Sequence, residues 1–409
     1  MTTQQLRTQC CIVGGGPAGI MLGFLLARNG VRVIVLEKHP DFFRDFRGDT
    51  IHPSTLELMH ELGILEAFLK LPHQPMPTLQ LVIDGRTVPG PDFSRLPTHE
   101  KYVAMMPQWD FLDFITSQAS RYEGFDLRMA TEAIGLIENE DRVNGVVAKT
   151  AEGRLYITAD LVVAADGRGS LVRDQAAMPV TDIGAPIDVL WFRLDKPNDS
   201  IEDVMGRIHN GRMMVTLNRG DYYQAGLLIQ KGGFDRLMQQ GLEHFHRLVA
   251  AIAPGLSEVV KAIDSWDMVK LLSVRVDRLE RWYRPGLLCI GDAAHAMSPI
   301  GGVGVNYAVQ DAVATANLLA EKLRTGHCGT ADLARVQRRR AWPARVMQGL
   351  QVAAHRRFFS GKALDRPLAL SRTTTILLRL FAPLLRRLVA RIIGIGLRPE
   401  HIRSRECRS

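Results

Sequence analysis

The chain has 409 residues, 46% hydrophobic and 23% charged, a globular composition that excludes a disordered or collagen-like protein and suggests two or three domains. The formal net charge of +8 is unevenly spread: residues 321–409 hold 20 Lys and Arg against 5 Asp and Glu, while residues 1–320 are net acidic at −7. The basicity belongs to the tail and gives no argument for nucleic-acid binding. No run approaches the ~18 apolar residues of a spanning helix. The polar N-terminus lacks the basic-then-apolar plan of a secretion signal, so the cytoplasm is the expected compartment. Five cysteines (Cys10, Cys11, Cys289, Cys328 and Cys407) show no metal-ligand spacing, which argues against a disulfide framework or a zinc site.

The opening reads strand, glycine turn, helix, strand. Gln9–Val13 is short and apolar, residues 17–28 form an apolar helix with Pro17 at its start, Gly30 suits a left-handed stop, and Val31–Leu36 is the second strand. Together they make a βαβ unit. An arginine-rich loop at Arg44–Gly48 precedes a helix for which Ser54 and Glu57 propose a capping box and Gly63 a stop. A hairpin is expected around Asp84-Gly85, a helix from about Asp110 to Tyr122, then a meander turning at Asn144-Gly145 and Glu152-Gly153 and ending in the apolar strand Ala159–Ala165. Residues 185–230 read as an antiparallel sheet and 240–262 as helical. Leu287–Ile290 is another buried strand, and Tyr307–Leu323 is an apolar helix.

Four segments carry chemistry. Gly14-Gly15-Gly16-Pro17-Ala18-Gly19 is a GxGxxG between two apolar strands, with Glu37 closing the second. Gly14 permits the tight turn, Gly16 admits a pyrophosphate to the backbone, and Gly19 lets helix and strand pack closely. Glu37, with Lys38 beside it, stands where a carboxylate accepts ribose hydroxyls. Asp166-Gly167, with Arg173 in the turn that follows, and Gly291-Asp292 each end an apolar strand, where ligands of parallel sheets bind. Pro299 to Asn306, including Gly302, Gly304 and Val305, is a glycine-dense loop opening a helix. Such a loop can approach a planar ring and offer N–H groups to negative charge.

At Gly14–Gly19, Asp166-Gly167 and Gly291-Asp292 the chain resembles the single-component (group A) FAD-dependent aromatic hydroxylases, the para-hydroxybenzoate hydroxylase-like flavoprotein monooxygenases, over roughly residues 8–330. The resemblance implies an α/β fold: a Rossmann-like, discontinuous FAD-binding domain (1–72, 101–178, 277–330), an inserted antiparallel substrate domain (73–100, 179–276) and a basic helical C-terminal segment (331–409). It implies FAD held by Gly14, Gly16, Pro17, Ala18, Gly19, Glu37, Lys38, Arg47, Gln108, Asp166, Gly167, Arg173, Gly291, Asp292, Pro299, Gly302, Gly304, Val305 and Asn306, with Asp292 on the ribityl chain. Many relatives carry arginine where Trp109 follows Gln108. NADPH or NADH is the implied reductant, with NADPH the first choice. The reaction it implies passes one oxygen atom from O2 through a flavin C4a-hydroperoxide to a phenolic or polycyclic ring. A reductase of the same fold acting on a lipophilic alkene or quinone, or a flavin-loaded regulator, stays open. The chain has no Trp-x-Trp of tryptophan halogenases.

The candidates for substrate-side helpers are His295, Pro299, His52, His209 and Tyr222, with Tyr223 the alternate of the tyrosine pair, since strand alternation sends one ring inward. In the tail, Leu377, Phe381, Leu384, Leu388, Ile392 and Ile395 recur at helical spacing among arginines, as in a basic amphipathic helix on the inner face of a membrane. The alternative is packing across the FAD domain. Arg338-Arg339-Arg340 reads as a solvated helix face. No metal site, no nucleic-acid partner, and a monomer or homodimer complete the expectations.

Overall fold

The apolar runs Cys10–Val13, Val33–Leu36 and Leu161–Ala164 show no alternation because helices cover both faces of the sheet they form. The computed structural model describes residues 2–43, 50–196, 206–359, 384–404 and 406–407. Its main sheet runs Leu287–Cys289, Gly153–Ala164, Thr2–Val13, Val33–Leu36, Phe125–Arg128, all parallel, with Tyr283–Arg284 antiparallel at one edge. Helices Pro17–Arg28 and Gly304–Arg324 pack against each other in the core beside it. Gly23 seats the first helix, since a Cβ there would lie 2.8 Å from Val35 and 2.9 Å from Phe125.

Several expected elements differ in their bounds. The first strand begins at Thr2, because its polar residues pair in parallel with Gly153–Ala159 beyond the buried stretch. The helix after the arginine-rich loop spans Pro53–Glu61 with His52 at the N-cap and no side-chain cap bond. Pro53 at its first position fixes the start. The Ser54 hydroxyl has no partner, and Glu57 instead bonds the backbone N–H and ring of His99. Asn144-Gly145 is not a turn but lies inside strand Arg142–Thr150; the chain reverses after Asn139 instead, at Glu140 with φ 52°. Gly145 is needed for close approach, since a Cβ would sit 2.1 Å from the Ile157 carbonyl oxygen. Of the expected helix over 240–262, Leu242–Ile252 is regular, and Pro254 opens a 3-10 turn.

The second sheet has seven strands in the order Lys270–Leu272, Ile187–Asp195, Tyr222–Gln230, Arg212–Asn218, Gly206–His209, Thr78–Ile83, Arg86–Asp92. The hairpin at Asp84-Gly85 (φ 46° and 76°) thus joins this sheet by a parallel pair with Gly206–His209. Helix Leu242–Ile252 covers one face through Phe192, Phe245, Leu248 and Leu227. A three-stranded sheet of Thr50–Ile51, Val103–Met105 and Gln74–Met76 stands between the two large sheets in sequence.

The described residues beyond 330 are built into the molecule. Helix Thr330–Phe359 packs on Gly304–Arg324. Residues 384–394 form a helix whose Ala390 and the following Ile395 are buried with Phe93, Leu96, Met105 and Leu217. The segment after it straps across helices Pro17–Arg28, Pro53–Glu61 and Gly304–Arg324: Gln310 bonds the Ile395 carbonyl, Glu61 the Ile402 N–H, Asn317 the Arg403 N–H and Arg28 the Ser404 carbonyl. Leu377 and Phe381 of the expected amphipathic helix lie outside the described residues.

Candidate active site

Helices Pro17–Arg28 and Gly304–Arg324 begin without a capping side chain, at Gly16 and at Val303, as do Pro53–Glu61 and Gln108–Ala119. Their first N–H groups are therefore open to an anion. By contrast, the short helix Leu171–Gln175 is capped internally, Ser170 Oγ accepting from the Arg173 N–H at 3.0 Å. Gly14 has φ 107°, and a Cβ there would meet the Ala165 carbonyl oxygen at 2.4 Å. A Cβ on Gly19 would meet the Gly14 carbonyl at 1.9 Å, whereas nothing lies within 4 Å of one on Gly16. The first and third glycines thus pack the turn and the second leaves open space. Pro17 and Ala18 form the helix start. Glu37, half-buried, accepts from the Gly15 N–H at 3.0 Å and the His39 N–H at 3.1 Å, which aims it across the glycine turn; Lys38 beside it is exposed.

On the far side of the turn, burial pushes the Asp166 carboxyl up against the bonds it accepts from Ser170 and Val172. Gly167 has φ 85° and open space around it. Asp292 accepts from Arg168 Nε at 3.0 Å, both being about one-third exposed. That partner was not visible as such in the sequence, where Arg168 was only one letter of a turn. Arg173 points inward: it is 3% exposed, and its guanidinium bonds the carbonyls of Arg168 and Ala293 and pairs with Asp277 at 3.5 Å. It braces the two strand-end turns from beneath. Arg47 lies outside the described residues. Gln108 opens helix Gln108–Ala119, half-buried, and the Trp109 ring lies tilted against Phe43, centroids 4.8 Å apart.

The glycine loop is held from below. Pro299 accepts from the Gly302 N–H at 3.0 Å, and Thr50 Oγ1 donates to the Gly302 carbonyl at 2.8 Å. Gly302 has φ 61°, and a Cβ on it would fall 2.3 Å from that hydroxyl, so only glycine fits. Gly304 and Val305 start the helix. Asn306 Oδ1 accepts from Thr55 Oγ1 at 2.6 Å and the His52 N–H at 3.2 Å, while its buried Nδ2 has no partner. Uncapped helix starts, open space over Gly16 and this orphaned amide together fit a bound FAD.

Thr50 also marks the route to a cleft. Thr50, Met105 and Gln74 are direct cross-strand partners and share one face. The row begins at Gly302 and ends at an open cleft between the small sheet and the seven-stranded sheet, lined by Gln74, Met76, Met105, Leu217 and Asn218 among others. Neither Thr50 nor this row was a sequence expectation. It became legible only once pairing set the register.

Two expected helpers are withdrawn from this cleft. His295 is 2% exposed, its Nε2 lying 2.6 Å from Asp311 and its ring against Trp282. His52 is 1% exposed with Nδ1 bonded to the Ile393 carbonyl at 2.9 Å, and burial pulls its pKa down to about 4, so it stays neutral. Both are interior histidines, and neither lines the cleft. The tyrosines split as alternation requires. Tyr223 is buried among Phe192 and Phe245 and touches the cleft, while Tyr222 lies under the Arg193 guanidinium at 4.2 Å and is not among the cleft residues. The arginine run is corrected too: Arg338 is exposed, but Arg340 is wholly buried against Asp311. Among the described residues no group of His, Cys, Asp and Glu could hold a metal, and no helix is long and apolar enough to cross a membrane.

Residues 7–349 match the FAD binding domain family. The 6-methylpretetramide 4-monooxygenase of Streptomyces rimosus is 34% identical over 320 residues, 78% of this chain and 76% of its own length. The rifampicin monooxygenase of Streptomyces venezuelae is 28% identical over 74% of this chain and 61% of its own length, so the chain spans about three fifths of that relative. In fold, p-nitrophenol 4-monooxygenase PnpA from Pseudomonas putida DLL-E4 superimposes with a TM-score of 0.75 at 18% identity, covering 95% of this chain and 97% of that one. The chain belongs to the FAD binding domain family of flavin-dependent monooxygenases.

Proposed function

We propose that the protein is an NAD(P)H-driven aromatic monooxygenase that adds one oxygen atom of O2 to a phenolic, polycyclic substrate seated in the cleft beyond Thr50. The observation that carries this is the Thr50–Met105–Gln74 row, which joins the glycine loop to a cleft whose walls are part apolar (Met76, Met105, Leu217) and part amide (Gln74, Asn218). FAD, when bound, supplies electron transfer from the nicotinamide and activation of O2. The chain's own share is placement. Apolar walls exclude water from the reacting face, and the amides orient ring hydroxyl groups. The uncapped helix starting at Gly304 offers N–H groups to negative charge. The activities for which the two relatives are named, on 6-methylpretetramide and on rifampicin, support a polycyclic ring over a single one.

The test is oxidation of NADPH and NADH by FAD-loaded protein against phenols, polyketide phenols and quinones, with peroxide counted and ¹⁸O2 traced. A compound that speeds oxidation, suppresses peroxide and gains label from O2 fits the proposal. Label from water, or product formed without oxygen, rejects it.

The exposed Leu384, Leu385 and Leu388 beside exposed Arg387 and Arg391 support a second, weaker reading, peripheral contact with an anionic membrane. Equal flotation of wild type and a Leu384/Leu385/Leu388→Ser variant on anionic vesicles would remove it.

A further inference from the structure

Outside the cleft, the molecule buries a set of charges that the proposed chemistry does not use. Asp311, wholly buried in helix Gly304–Arg324, accepts from the Gly291 N–H at 3.0 Å and lies 2.6 Å from His295 Nε2, while its other oxygen accepts from Arg340 Nε at 2.9 Å. Arg340, also wholly buried, donates to the Arg398 carbonyl at 3.0 Å and faces the Glu400 carboxylate at 3.5 Å. Arg339 grips that carboxylate at two points, 2.7 and 3.1 Å. Each carboxylate of the set faces a guanidinium, and the His295 ring adds a further partner to Asp311, which is what makes the burial tolerable.

Gly291 is where the chain leaves strand Leu287–Cys289 with φ 59°, and Asp292 follows it. The N–H that fixes this turn thus depends on Asp311, and the charge that balances Asp311 depends on a carboxylate of the C-terminal strap. Removing the Glu400 charge leaves two guanidiniums for one carboxylate. Arg339, half-buried, can turn to water; Arg340, with no exposure at all, cannot. Its pull on Asp311 then changes, and with it the Gly291 turn.

We propose that Glu400 is a positioning residue of the FAD site, setting the Gly291-Asp292 turn through Arg340 and Asp311. This rests on the reading of Asp292 as the group on the ribityl side of FAD, while the glycine turn and Glu37 serve the adenosine half.

The two halves can be read separately by titrating full-length apoprotein with FAD and with ADP. Glu400→Gln is expected to weaken FAD at least tenfold while changing ADP less than twofold, and Glu400→Asp, which keeps the charge, to restore most of the FAD affinity. Equal weakening of both ligands, or unchanged FAD, overturns the proposal. Should Glu400→Gln not fold, Arg339→Gln, at a half-buried position, is expected to shift FAD alone by twofold to fivefold, and no shift overturns the proposal equally. Asp292→Asn is the control for the underlying reading. If it binds FAD like wild type, the ribityl assignment fails and takes the proposal with it. If it binds FAD poorly while Glu400→Gln binds normally, only the proposal fails.

Discussion

His52 offers a test of the buried site that needs no substrate. Its ring is 1% exposed and its pKa is drawn from 6.5 to about 4, by burial against the smaller opposing effect of the Ile393 and Gly302 carbonyls. The folded protein therefore holds this ring neutral where the unfolded chain would protonate it. Between pH 6.5 and 4 the unfolded state binds more protons, so stability falls as the pH is lowered through that window and levels off below it. The full loss is ~3 kcal/mol, of which ~2 kcal/mol falls between pH 7 and pH 5. His52→Gln keeps a donor for the Ile393 carbonyl and does not titrate. Urea unfolding of the apoprotein at pH 7 and pH 5 should give a wild-type loss that exceeds the variant's by ~2 kcal/mol. Subtracting the variant removes His355, whose pKa burial also lowers. Equal losses in both proteins would mean that His52 is not held neutral in the fold, and the argument that withdraws it from the cleft would collapse.

Two other outcomes follow from the same geometry. Gly302→Ala puts a Cβ 2.3 Å from Thr50 Oγ1 at φ 61°. The strain and the lost Thr50 bond should cost roughly 1–3 kcal/mol, seen as a lower thermal midpoint and weaker FAD binding, and a wild-type profile would show that the loop is not held by Thr50. Met105→Ala opens the wall between loop and cleft and should raise peroxide per NAD(P)H consumed in the presence of an accepted substrate. Tyr222→Phe should leave that ratio alone, and the reverse pattern would move the substrate wall to the Arg193 side.

What could be read in advance was whatever depends on local chemistry. The Gly14–Gly19 turn, its flanking strands and Glu37 are fixed by backbone sterics and a helix start, both of which a short window displays. The strand ends at Asp166 and Asp292 were legible for the same reason. Asn144-Gly145 misled because a glycine in a strand answers to the neighbouring strand, here the Ile157 carbonyl, which no window of ten residues contains. His295 misled because adjacency in sequence to Asp292 says nothing about which way a ring points, and Asp311, sixteen residues on, captures it. Arg340 was hidden by its two arginine neighbours, since composition cannot tell one buried guanidinium from two wetter ones. Thr50, Met105 and Gln74 form a row only after two strand pairings are known.

The strap of residues 395–407 has a consequence in time. It is translated after every strand of the parallel sheet, whose last member is Leu287–Cys289, and chains emerge at about 5–20 residues per second. The Gly14–Gly19 turn can therefore form, and meet the adenosine end of the cofactor, well before Arg398 and Glu400 exist to complete the set around Arg340 and Asp311. Capture of FAD during synthesis would then proceed from the adenosine end toward the flavin, and a stalled or clipped chain would retain nucleotide while releasing the dye.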